Sequence, residues 1–74
     1  MEEKISLIKI TEKNPIRIIV RAGKFIITFI DDEKGGIREE KSILSIKGKE
    51  REANPSIDTF LKAYYFALKK FNST

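Results

Sequence analysis

Cysteine, histidine, tryptophan and glutamine are all absent from the 74-residue chain. Without cysteine there is no disulfide, and without cysteine and histidine the usual zinc and copper sites have no ligands. A Ser-His or Cys-His nucleophile has no base to activate it. No pair of carboxylates stands out for acid–base work either, so the chain reads as non-enzymatic, with no cofactor and no metal. No apolar run approaches the roughly 20 residues of a membrane span, and Met1-Glu2-Glu3 is acidic where a signal peptide is basic. We therefore expect no membrane contact and a cytoplasmic protein. Asn72-Ser73-Thr74 matches a glycosylation acceptor, but without a secretory signal it is expected to stay unmodified.

What remains is small and highly charged. Fifteen Lys and Arg face eleven Asp and Glu, a net charge of +4 with pI near 9.5, which suits an anionic partner. Thirteen isoleucines and eleven lysines give a thermophile-like composition. The length implies one domain, residues 1–74, and a chain this short buries only about 60% of its unfolded surface. With disulfides and metals excluded, self-association or unusually good packing must supply the rest.

The pattern predicts an α+β fold: a four-stranded antiparallel sheet (ββββα) with one C-terminal amphipathic helix packed on one face. Strands are expected within 4–46, over Lys4–Ile10, Ile16–Arg21, Lys24–Ile30 and Ile37–Ile46, then a charged connector over 47–53 and a helix over 55–71. Only Ala22-Gly23 separates the second and third strands, so a two-residue hairpin loop is the natural connection. This pairs Arg21 with Lys24, Val20 with Phe25 and Ile18 with Ile27. One face then carries Ile16, Ile18, Val20, Phe25, Ile27 and Phe29, all apolar. The other carries Arg17, Ile19, Arg21, Lys24, Ile26 and Thr28. In the fourth strand Ile37 and Ile43 fall on one face and Leu44 and Ile46 on the other, a conflict that a bulge would resolve. The helix opens with Asn54 or Ser56 as its cap and closes at Asn72. Its stripe of Ile57, Phe60, Leu61, Tyr64, Leu68 and Phe71 needs a sheet to cover.

From Lys13 to Ile30 there are four cations, Lys13, Arg17, Arg21 and Lys24, and no acidic residue. Arg17, Arg21 and Lys24 share the outward hairpin face with Ile19, Ile26 and Thr28. Cations that offset phosphates beside flat apolar surface suit a single-stranded nucleic acid, although no aromatic ring lies there to stack on bases. Lys47-Gly48-Lys49 is a basic loop able to meet phosphate. Phe66 projects opposite the stripe, with Tyr65 at the margin, and an aromatic so placed marks an interface. Phe66, Tyr65, Ile19 and Ile26 are the candidate interface residues of a homodimer. Asp31-Asp32-Glu33 lacks the ligand spacing of a calcium loop.

This order of elements resembles the single-strand-binding ββββα families: PUR repeats, Whirly proteins and positive-cofactor transcription coactivators. The similar stretches are Gly23-Lys24-Phe25-Ile26-Ile27-Thr28-Phe29-Ile30, then Ser42-Ile43-Leu44-Ser45-Ile46 and a helix opened by Asn54-Pro55. The resemblance implies a homodimer holding single-stranded DNA or RNA along its strands through Arg17, Arg21, Lys24 and Thr28. Separately, Ser56-Ile57-Asp58-Thr59-Phe60-Leu61-Lys62-Ala63-Tyr64-Tyr65 looks like the C-terminal helix of the small dimerising subunit of the KEOPS tRNA-modification complex, though the early helix of those subunits is missing. That likeness implies a scaffold in a protein assembly. The leading expectation is nucleic-acid binding, and the rival is a protein–protein interaction subunit.

Overall fold

The apolar alternation between Ile16 and Ile30 folds as the centre of a five-stranded antiparallel sheet with one helix on one face. A computed structural model describes residues 4–73. Met1, Glu2, Glu3 and Thr74 lie outside the described residues, and with them the acidic N-terminus and the last residue of the Asn72-Ser73-Thr74 pattern. The elements are β1 (Ile5–Thr11), β2 (Arg17–Ala22), β3 (Phe25–Asp31), β4 (Ile37–Ile46), β5 (Lys49–Glu52) and α1 (Ile57–Asn72). The strands lie side by side in chain order, so each neighbour is reached through a short turn.

The fifth strand corrects the expectation of four. In place of a connector, the chain reverses at Lys47-Gly48, whose φ values of 51° and 80° are both positive. A type I′ turn requires this of its two central residues, and it suits the twist of the flanking strands. β5 then pairs with β4 through Ile46↔Lys49 and Leu44↔Arg51. Its residues Lys49-Glu50-Arg51-Glu52 are all charged and exposed, so no apolar alternation announces it. A charged edge of this kind discourages pairing with other edges.

The central hairpin turns at Gly23-Lys24, one residue later than expected. Ala22 is a buried strand residue paired with Phe25, and the register runs Val20↔Ile27, Ile18↔Phe29 and Arg17↔Ile30. Gly23 has φ of 63°. A two-residue turn with its positive φ at the first position needs glycine there, which places Gly23 first rather than second. The pairing therefore slides by two residues, and an even slide keeps the strand side chains on their expected faces, while Lys24, expected on the outward face, moves into the turn.

Two bulges adjust the outer pairs. In β4, Thr28 pairs with Lys41 but Phe29 pairs with Glu39, leaving Glu40 as the extra residue. This resolves the conflict in the sequence pattern: Ile37, Leu44 and Ile46 share the helix side, and Ile43 faces away. In β1, Leu7 pairs with Val20 and Lys9 with Ile19, so Ile8 is the extra residue, 47% exposed.

The helix begins at Ile57, two residues later than expected, with Ser56 as its cap: Thr59 N–H donates to Ser56 Oγ at 3.2 Å. At its end Ser73 Oγ donates to the Lys69 carbonyl at 3.0 Å. The row turned into the sheet is Thr59, Ala63 and Ala67, all buried. Two alanines let the helix axis come close to the strands, where Ile18, Val20, Ala22, Ile27, Phe29 and Ile37 complete the core. Phe60 and Tyr64 flank the row, their rings 5.9 and 6.0 Å from that of Phe29. The expected stripe is thus rotated. Its Phe60, Tyr64, Leu68 and Phe71 pack against the core, while Ile57 and Leu61 stay 79% and 42% exposed.

Phe29 and Ile27 are fully buried, so Phe29→Ala should cost about 3–5 kcal/mol and Ile27→Val about 1 kcal/mol. Urea unfolding checks both, as a lowered midpoint with an unchanged slope.

Candidate nucleic-acid interface

Strand pairing sets which side chains stand together on the face turned away from the helix. Three rows cross it. The first is Ser6, Arg21, Ile26, Ile43 and Glu52; the second is Lys9, Ile19, Thr28 and Lys41; the third is Thr11, Arg17, Ile30 and Arg38. Lys9, Arg21, Arg38 and Lys41 are exposed. Lys9 and Lys41 are three strand spacings apart, roughly 14 Å. Between them in the row lie half-buried Ile19 and buried Thr28, and half-buried Ile26 and Ile43 follow in the row beside it. The result is a flat apolar floor with cations on both flanks.

Of the residues expected at this site, Arg17 and Arg21 are on the face. Arg17 is not free: its Nε donates to Glu40 Oε1 at 3.0 Å and to Oε2 at 3.2 Å, and its Nη2 donates to Oε2 at 3.2 Å. The bulge makes this possible, because it turns Glu40 onto the same face. The hydrogen bonds from Arg17 hold the Glu40 carboxyl below its ordinary value of 4.5. Thr28 is also on the face, but it is only 6% exposed, flanked by Ile19 and Lys41, which leaves it little reach for a ligand.

The other expected cations are elsewhere. Lys24 occupies the β2–β3 turn and Lys13 the loop before β2, both exposed. Lys47 is in the last turn. Lys49 is on the helix side of the sheet, where it lines a shallow groove with Lys47, Leu44, Ile46, Glu50 and Arg51. Sequence reasoning missed Lys9, Arg38 and Lys41. Lys41 was findable from the conflict between Ile37 on one face and Leu44 and Ile46 on the other, since a bulge between Ile37 and Lys41 places Lys41 on the face of Arg21.

β5 adds opposite charges to the two sides. Glu50 and Glu52 pair with Ser45 and Ile43 on the outer face, and Lys49 and Arg51 pair with Ile46 and Leu44 on the helix side. The outer face therefore runs from cationic over β1–β4 to acidic along β5, which bounds the path open to an anion.

The expected interface residues divide as well. Ile19 and Ile26 belong to the floor just described, and Tyr65 is 63% exposed. Phe66 does not stand free on a polar face. It is half-buried, packs against the core, and has the Lys70 ammonium 5.3 Å from its ring centroid. Ala63 and Ala67 bring the helix low enough for the sheet to reach the Phe66 ring.

The acidic turn serves the loop itself. Asp31 Oδ1 accepts from Glu33 N–H at 2.8 Å, and Asp32 Oδ1 accepts from Lys34 and Gly36 N–H at 2.7 and 3.0 Å. Among the described residues no cluster of three acidic side chains is placed to hold a metal ion, and no helix is long and apolar enough to cross a membrane. No family model, curated protein or solved structure matches this chain.

The backbone N–H groups of Lys34 and then Gly36 hold the Asp32 carboxyl below its ordinary value of 3.8. A depressed folded value means stabilisation that is complete above pH 3.8 and lost as pH falls through the lowered value. Asp32→Ala should therefore melt below the parent at pH 7, and the gap should narrow on acidification below 3.8. Thermal melts monitored by circular dichroism across that range measure both.

Proposed function

We propose that the chain is a non-enzymatic, cytoplasmic nucleic-acid-binding protein that holds single-stranded DNA or RNA on its outer sheet face without a cofactor. The observation that carries this reading is the flanking of a flat isoleucine floor by Lys9 and Arg21 on one side and Lys41 and Arg38 on the other. Phosphates meet the cations, and bases or sugars lie against Ile19, Ile26 and Ile43. The order of elements is that of the ββββα families the sequence resembles, with β5 added at one edge.

The face lacks aromatic rings, so base stacking contributes little and guanidinium planes are the available stacking surfaces. Affinity then comes mainly from counterion release, which makes binding weakly selective for sequence and strongly dependent on salt. The acidic edge formed by Glu50 and Glu52 confines the strand to β1–β4. Glu40 competes with phosphate for Arg17, which makes it a brake on affinity.

A fluorescence-anisotropy titration with a labelled single-stranded oligonucleotide, at low and near-physiological salt, tests the reading. Log affinity should fall linearly with log salt, and Arg21→Ala with Lys41→Ala should flatten the slope by about 1.4, that is, about 0.7 per cation removed. Both side chains are exposed, so the fold should survive. Absence of binding at low salt in the parent protein overturns the proposal.

Glu40→Gln gives the opposite sign. It releases Arg17 and removes a negative charge from the face, so oligonucleotide affinity at low salt should rise severalfold. The same titration reads it.

A further inference from the structure

Helix α1 carries more apolar surface than its own sheet covers. At 100° per residue, Leu61 and Tyr65 each project about 160° from Ala63, the residue at the centre of the buried row. They lie on the back of the helix and, with Ile57, form a row at four-residue spacing. Ile57, Leu61 and Tyr65 are 79%, 42% and 63% exposed. The Tyr65 ring leans edge-on against Tyr64, with centroids 5.5 Å apart, and half-buried Tyr64 and Leu68 extend the same surface towards the sheet. Lys69 follows Tyr65 in the row, and Asp58 stands beside Ile57 at its other end.

We propose that this row is the contact surface for a second copy of the chain, with the two α1 helices packed antiparallel across a two-fold axis near Ala63. Such an interface must be complementary to itself, and the row is. An antiparallel pairing about residue 63 sets Leu61 of each copy against Tyr65 of the other. It also brings Lys69 of each copy to Ile57 and Asp58 of the other. Asp58 already holds Lys62 of its own helix at 3.2 Å, yet its side chain remains 81% exposed, which leaves it open to a second cation. A parallel pairing instead stacks Asp58 on Asp58 and Lys69 on Lys69.

Charge also argues against the apolar groove beside β5 as the seat for this helix. The groove of Leu44 and Ile46 is lined by three cations, Lys47, Lys49 and Arg51, against one acid, Glu50, and the back of the helix carries Lys62 and Lys69 against Asp58, so both surfaces have a cationic excess. Like charges keep the two apart. Helix on helix is the arrangement in which attraction accompanies apolar contact. It is independent of the nucleic-acid reading, because it uses the opposite side of the molecule.

Sedimentation equilibrium of the intact chain at roughly 10–100 μM tests the proposal. The mass should be twice 8.5 kDa. Leu61→Glu with Tyr65→Glu should give a monomer whose circular dichroism is unchanged, since both residues are exposed. Ile26→Lys, on the outer face, should leave the dimer intact. Asp58→Lys alone and Lys69→Asp alone should each weaken self-association about tenfold by placing like charges together. Mixing the two variants restores both attractive contacts in a mixed dimer and should recover parental affinity. A parent that is monomeric throughout, or a dimer that survives the Leu61 and Tyr65 changes, overturns the proposal. Failure of the mixture to recover, with both variants folded, overturns the antiparallel pairing.

Discussion

The two-residue period of the β2–β3 hairpin is the constraint from which the other features of the molecule follow. Ile18, Val20, Ala22, Ile27 and Phe29 point one way and are fully buried; Arg17, Ile19, Arg21 and Ile26 point the other. A chain of this length has only one core to build, and this alternation states which side it is on. The helix answers with its smallest residues. Ala63 and Ala67 meet the sheet directly, so the larger aromatics Phe60, Tyr64 and Phe66 pack at the flanks of the contact.

The same periodicity sorts charge. β5 carries alternating signs, and its pleat sends Glu50 and Glu52 to the outer face and Lys49 and Arg51 to the helix side. The result is an outer surface that is cationic over four strands and acidic at one edge. The β4 bulge acts at the same level. By inserting Glu40 it turns Ile43 and Lys41 outward, and it places a carboxylate within reach of Arg17 on β2. One extra residue thus adds a cation and an isoleucine to the face and neutralises a different cation.

The two proposals use opposite sides of the sheet. In a dimer joined along the backs of the α1 helices, the two outer sheet faces point away from each other, each free for an anionic strand. Both rest on the same constraint: a small chain that places its best apolar residues in the core has isoleucines, two leucines and one tyrosine left over. The two groups the proposals use, the outer isoleucines and the back of the helix, are each flanked by charge, and the proposals are read from that pattern.

Much of the fold was legible in the sequence, because period two and period 3.6 are properties of neighbouring residues. The faces of the hairpin, the α+β class and the presence and place of the helix follow from local chemistry alone. The turn was misplaced by one residue and the faces survived, since only an odd slip exchanges them. What the tertiary structure decided are relations between residues far apart in the chain. Whether Lys49-Glu50-Arg51-Glu52 is a connector or a strand depends on β4 offering it an edge, and nothing within four charged residues says so. Which side of the helix is buried depends on how closely it can approach, so the alanines won over the larger residues and left Ile57, Leu61 and Tyr65 outside. Arg17 read as a free cation until Glu40 arrived from two strands away. Composition and alternation specify what each segment buries; only packing decides which of the remaining charges and apolar groups meet.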